Sequence, residues 1–238
     1  MATFVLVHGA WHGGWCYERV ARLLKAAGHP VHAPTLLGLS SPTVQTHVEQ
    51  LTALITTRQL SDVILCGHSY GGMAVTGAAD AVPSAVRALV YLDAVVPEDG
   101  SRLWDFLPAC DRDFLLTHNV TPCGTALRPC HPSALGLNVA DHALFERLCT
   151  PQPLSTFLSR ISLSGAHRRV SKRVYVAATG WGEGRESPPP SFEMHERFRN
   201  DPSWATEMID CGHDVMLDAP ERLAAILMSH AAFAKELT

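Results

Sequence analysis

No apolar run in this 238-residue sequence approaches the roughly 20 residues that a bilayer-spanning helix needs, so no such helix is expected. No Lys/Arg-dense block is present and the formal net charge is −4, so the electrostatic footprint of a nucleic-acid or anionic-membrane partner is missing. Its seven cysteines are odd in number and scattered, with no C-x-x-C pair, which points to free thiols rather than a disulfide framework or a zinc site. Cys123, Cys130 and His131 come nearest to a metal cluster, yet structural zinc takes four ligands at tighter spacing. A basic leader is also lacking, because Met1 leads at once into Thr3-Phe4-Val5-Leu6-Val7. The expectation is a cytoplasmic protein without metal or cofactor. The dinucleotide fingerprint G-x-G-x-x-G is missing from the early Gly-rich loop, and no acidic residue ends the strand at Val31 to hold a ribose.

What is present is enough apolar material, 47% of residues, to bury a sizeable core. The stretch Asp62-Val63-Ile64-Leu65-Cys66-Gly67-His68-Ser69-Tyr70-Gly71-Gly72-Met73-Ala74-Val75 organises it, reading as buried strand, sharp turn, then helix. Gly67-His68-Ser69-Tyr70-Gly71 fits G-x-S-x-G, in which a strained serine is lifted clear of a sheet edge and the next amide opens a helix. Ser69 is the candidate nucleophile.

Upstream, a strand over residues 3–7 runs into His8-Gly9-Ala10-Trp11-His12-Gly13-Gly14-Trp15, whose glycines let backbone amides face a ligand. Val20, Leu23, Leu24 and Ala27 then mark an amphipathic helix, followed by a short strand at 31–33 and a helix within 43–59. Downstream of the serine, Ala88-Leu89-Val90-Tyr91-Leu92-Asp93 reads as a buried parallel strand with Asp93 at its C-terminal end. From residue 97 the text becomes short amphipathic pieces broken by prolines, a helical cap over 97–170 inserted between core segments 1–96 and 171–238. Further strands are expected at 173–178 and 205–209. The latter ends in Asp210-Cys211-Gly212-His213-Asp214, before a last helix expected to be capped by Asp218. The predicted class is α/β, a mostly parallel twisted sheet of about six strands with helices on both faces. A histidine after the last strand, with the serine elbow far upstream, makes His213 the candidate general base.

These motifs, with Tyr91-Leu92-Asp93-Ala94-Val95-Val96-Pro97, resemble the α/β-hydrolase superfamily, in the branch of plant methylesterases, hydroxynitrile lyases and bacterial esterases. The resemblance implies a Ser-His-acid triad, an oxyanion hole from the Ala10 and Tyr70 amides, and a cap that shapes substrate choice. The acid departs from the pattern: the loop after strand 173–178, where the superfamily usually carries Asp, offers only Glu183 and Glu186. Asp93 is favoured, because a strand end holds a carboxylate better than a Gly-rich loop, with Glu183 as the alternative. A purely structural Asp93, accepting backbone N–H groups, stays open beside it. The implied reaction is acyl transfer on a small ester or lactone with a mainly apolar group, suggested by Leu103, Trp104, Phe106, Leu107, Leu144, Phe145 and Phe157 in the cap. A lyase is the second reading. The best-known plant lyases carry threonine and lysine where this sequence has Gly9 and Asp214. A ligand receptor without turnover is the third.

Overall fold

The computed structural model describes residues 1–38, 42–182 and 189–232. The first half contains β1 (Thr3–Val7), α1 (Glu18–Ala26), β2 (Val31–His32), α2 (Val44–Thr57), β3 (Val63–His68), α3 (Gly71–Ala81) and β4 (Val86–Leu92). Then come α4 (Ala109–Phe114), β5 (Ala126–Leu127), α5 (His142–Leu148), β6 (Gln152–Pro153) and α6 (Leu154–Leu158). The chain ends with β7 (Lys172–Ala178), α7 (Pro190–Phe198), β8 (Trp204–Ile209), α8 (Val215–Asp218) and α9 (Pro220–Ala232).

Among the described residues six strands form one parallel sheet in the order β2-β1-β3-β4-β7-β8, the α/β architecture that the patterning predicts. Side chains of a strand alternate between the faces of a sheet, and here that alternation sorts them into two apolar clusters. Phe4, Leu6, Ile64, Cys66, Val90 and Leu92 enter one, where α1 and α9 supply Leu24, Leu223 and Leu227. Val5, Val7, Val63, Leu65, Leu89 and Tyr91 enter the other, against Leu51 of α2 and Met73 and Val75 of α3. Burying each such side chain contributes about 1.5–3 kcal/mol, which is why these strands read as continuous apolar runs. Strand order reverses about β1, whose neighbours are β2 on one side and β3 on the other. The crevice at the C-terminal ends of such strands is where open α/β sheets bind ligands.

Between β4 and β7 the chain leaves the sheet. The short helices there are accompanied by an antiparallel ribbon of β5 and β6, pairing Ala126 with Pro153 and Leu127 with Gln152, which the proline-broken text did not reveal. Apolar side chains of this segment join the two sheet clusters: Leu103, Leu127 and Phe157 one, Leu135 and Phe145 the other. The last helix also departs from expectation. Asp218 ends α8 and does not cap α9; its carboxylate accepts from the amides of Gly212 (2.9 Å) and Asn138 (3.1 Å). It thereby pins the loop that carries His213. Among the described residues no helix is long and apolar enough to cross a membrane.

Candidate active site

Ser69 sits between β3 and α3 with φ of 52°, a left-handed conformation costly for a residue with a Cβ. The turn is held from both sides. The Ser69 amide donates to Leu92 O (3.2 Å), and Ser69 O accepts from Gly72 N (3.1 Å) and Val95 N (3.3 Å). The glycines of the motif are required by contact: a Cβ on Gly67 would lie 2.6 Å from Gly71 O.

His213 follows β8, and its Nδ1–H donates to Asp93 Oδ2 at 2.6 Å across 120 residues of sequence. Asp93 stands just past β4, its side chain fully buried. Among the described residues two further donors reach it: Ala178 N to Oδ1 and the Trp181 indole Nε1–H to Oδ2, each at 2.9 Å. One oxygen therefore anchors backbone and the other faces the imidazole. Glu183 and Glu186 lie outside the described residues. Trp181 is the residue that sequence reasoning missed: besides its bond to Asp93, its ring lies 4.6 Å from that of His213. A tryptophan in a Gly/Pro-rich loop carries no local signal for that task.

Ala10 lies in the loop after β1 and Tyr70 at the entry of α3, and neither amide donates to an acceptor among the described residues. These are the two amides that the resemblance implies for an oxyanion hole. The peptide that ends in the Ala10 N–H is steadied at its other end, where His8 Nδ1–H donates to Gly9 O (2.7 Å). His8 Nε2 accepts from Leu36 N (2.9 Å), so the ring is neutral. The Tyr70 hydroxyl donates to His47 Nδ1 (2.7 Å), whose Nε2–H donates to Leu37 O (2.7 Å), tying the elbow to α2.

Ala10, Ser69, Asp93, Trp181 and His213 border one cavity of about 420 Å³. Its walls are chiefly apolar, with Leu103, Phe106, Leu107 and Phe157 from the inserted segment and Met194 from α7. Trp104, Leu144 and Phe145 do not line it. Phe145 instead packs edge-on against His12, 5.3 Å between ring centroids, because α5 lies over the opposite apolar cluster.

Burial works against the charged form of several imidazoles. Burial pushes His8 and His230 down to about 4, and lowers His47 and, much further, His68. The unfolded chain therefore takes up these protons first. The stability they contribute is intact above about pH 6.5 and falls as pH drops from there toward 4, by up to about 1.4 kcal/mol per pH unit for each group. Thermal unfolding midpoints should decrease as pH falls from about 6.5 to about 5; a flat profile over that range would show that these rings titrate normally in the fold.

The family model described as "Alpha/beta hydrolase family" matches residues 4–226. The chain is 40% identical over 242 residues to a carbendazim hydrolyzing esterase of Nocardioides sp., covering 94% of this chain and 97% of that protein. It is 30% identical over 260 residues to salicylic acid-binding protein 2 of Nicotiana tabacum, with 96% of each chain covered. Among solved structures, an extracellular alpha/beta-hydrolase from a Paenibacillus species matches with a TM-score of 0.82 at 22% identity, over 97% of this chain and 99% of that one. A pyrethroid hydrolase from Sphingobium faniae matches with 0.77 at 23%, over 98% of each. At such identities these two structures show the shared fold.

Proposed function

Because the chain belongs to the alpha/beta hydrolase family, whose model spans residues 4–226, we propose that it hydrolyses a small, mainly apolar carboxylic ester or lactone through an acyl-enzyme on Ser69. One observation carries the reading: His213 donates to the buried Asp93 at 2.6 Å and borders, with Ser69, the same apolar cavity. With Nδ1 committed to Asp93, His213 Nε2 is left to take the Ser69 proton. Ser69 Oγ then attacks the carbonyl carbon, and the oxyanion is received by the amides of Ala10 and Tyr70. His213 returns the proton to the departing alkoxide. A water activated by the same nitrogen then releases the acid. The segment over 97–170 acts as the cap that selects the substrate, and the cavity of about 420 Å³ beneath it suits a small ligand. The esterase similarity at 40% identity supports the same class of reaction.

A lyase fits less well. A Cβ on residue 9 would lie 2.8 Å from His68 Nδ1 and 2.9 Å from Ser69 Cβ, so the threonine of the plant lyases has no room here. Asp214, where those lyases carry lysine, faces His12.

The test is to treat the pure protein with a serine-directed phosphonate, map the adduct, and assay short-chain aryl esters. A single adduct on Ser69 with ester turnover is expected. Ligand binding with neither would make the protein a receptor on a hydrolase scaffold.

A further inference from the structure

His12 and Asp214 lie 202 residues apart in sequence and do none of the chemistry above, yet they meet in the interior beside both halves of the site. We propose that they are positioning residues, a buried ion pair that ties the loop carrying the Ala10 amide to the loop carrying His213 and holds oxyanion donor and base in register. This rests on the roles assigned to Ala10 and His213 under the proposed function.

The protonation of His12 follows from its partners. Nδ1 is 2.8 Å from Ala10 O, a carbonyl that only accepts, and Nε2 is 3.3 Å from Asp214 Oδ2, a carboxylate that only accepts. Both ring nitrogens therefore donate and the ring is an imidazolium. Burial opposes that charge, with side chains 2% and 0% exposed, but Asp214 outweighs it and holds His12 well above the usual histidine range. Asp214 is correspondingly held below the usual carboxylate range against its own desolvation, chiefly by His12. The stacked Trp15 ring and the edge of Phe145, 5.4 and 5.3 Å away, keep the imidazole from turning.

Stability alone is a poor reason for such a pair, because well-packed apolar residues often serve a fold as well as a buried ion pair does. Its attachments give a better one. The Ala10 carbonyl that His12 holds leads into Trp11, whose φ of 68° makes this stretch a strained turn that needs fastening. Asp214 is the next residue after His213. The His213 carbonyl is fixed in turn by His68 Nε2–H (2.9 Å), which leaves Asp214 Oδ1 facing that nitrogen at 3.9 Å without a hydrogen bond of its own among the described residues. A carboxylate left half-satisfied in the interior marks a group kept for its position and charge.

The double variant His12→Leu/Asp214→Leu removes both charges together and leaves no unpaired ion. It should stay folded, melting somewhat lower because the buried Ala10 carbonyl loses its His12 donor. Its kcat, per active site titrated with phosphonate, should fall about 10²-fold while KM stays within a few-fold, since loosening the site by an ångström costs that much. Affinity for an aryl trifluoromethyl ketone, which forms an oxyanion on Ser69, should weaken by the same factor. Wild-type kcat in the folded double variant would overturn the proposal. A second measurement needs no substrate: ¹⁵N-histidine spectra of wild type at pH 8 should show one ring with both nitrogens protonated, absent from the double variant. The titratable groups facing that ring are Asp214, Cys149, His68 and His8. A neutral His12 at that pH would overturn the pair even if the variant refuses to fold. An imidazolium His12 in a wild type that cleaves no ester would sink the esterase reading and leave the pair standing.

Discussion

On the proposed mechanism, Ser69→Ala should abolish ester turnover, with a loss in kcat on the order of 10⁶-fold and no phosphonate adduct, while the protein stays folded. The substitution removes the nucleophilic oxygen and little else. Alanine keeps the Cβ, so the left-handed backbone at φ 52° is strained to the same degree, and the bonds of this residue to Leu92, Gly72 and Val95 run through backbone atoms. The expected circular dichroism spectrum and melting midpoint are therefore close to wild type. Turnover that persists, once traces of host esterase have been removed by a second chromatography step, would mean that another group attacks the carbonyl.

Asp93→Asn should cost about 10⁴-fold in kcat, or about 5.5 kcal/mol of transition-state stabilisation. Among the described residues the carboxylate receives three donors, His213 Nδ1–H and Trp181 Nε1–H on Oδ2 and Ala178 N–H on Oδ1. An amide has one accepting oxygen. If its NH₂ turns toward Oδ2's place, it faces the Trp181 indole N–H and forces the His213 proton onto Nε2, the nitrogen that has to accept from Ser69. If it turns the other way it opposes the Ala178 amide, a buried donor then left unpaired at about 1–3 kcal/mol in stability. Either orientation also removes the negative charge that steadies the imidazolium in the transition state. Glu183→Gln should lose little, because His213 Nδ1 is already occupied by Asp93. The two variants are compared by kcat on one aryl ester, each checked for folding. The reverse ranking would return the acid to the later loop and leave Asp93 as an anchor of Ala178.

Much of this molecule is legible in its text, for local reasons. A buried parallel strand needs apolar residues on both faces, so Val63-Ile64-Leu65-Cys66 announces itself as a strand. A sharp turn between strand and helix needs glycines where backbones touch, so the Ser69 elbow is visible too. Both signals come from neighbours in sequence, and the order of serine, acid and histidine follows from parallel strands delivering their loops to one edge. Pairings made across that edge leave no such trace. Asp93 and Glu183 are both carboxylates at plausible places in the sequence, and the hydrogen bond between Asp93 and His213 exists only because β4 and β8 end at the same edge of the sheet. Trp181, just past β7, reaches the same carboxylate with its indole N–H, a contact between residues far apart in sequence. The Asp218 carboxylate, read as a helix cap, is drawn instead to the amides of Gly212 and Asn138 by the packing of α8. His12 and Asp214 look unrelated at a separation of 202 residues. Period and turn chemistry are written in consecutive residues, whereas which buried donor meets which acceptor is decided only when the sheet brings distant loops within hydrogen-bonding distance.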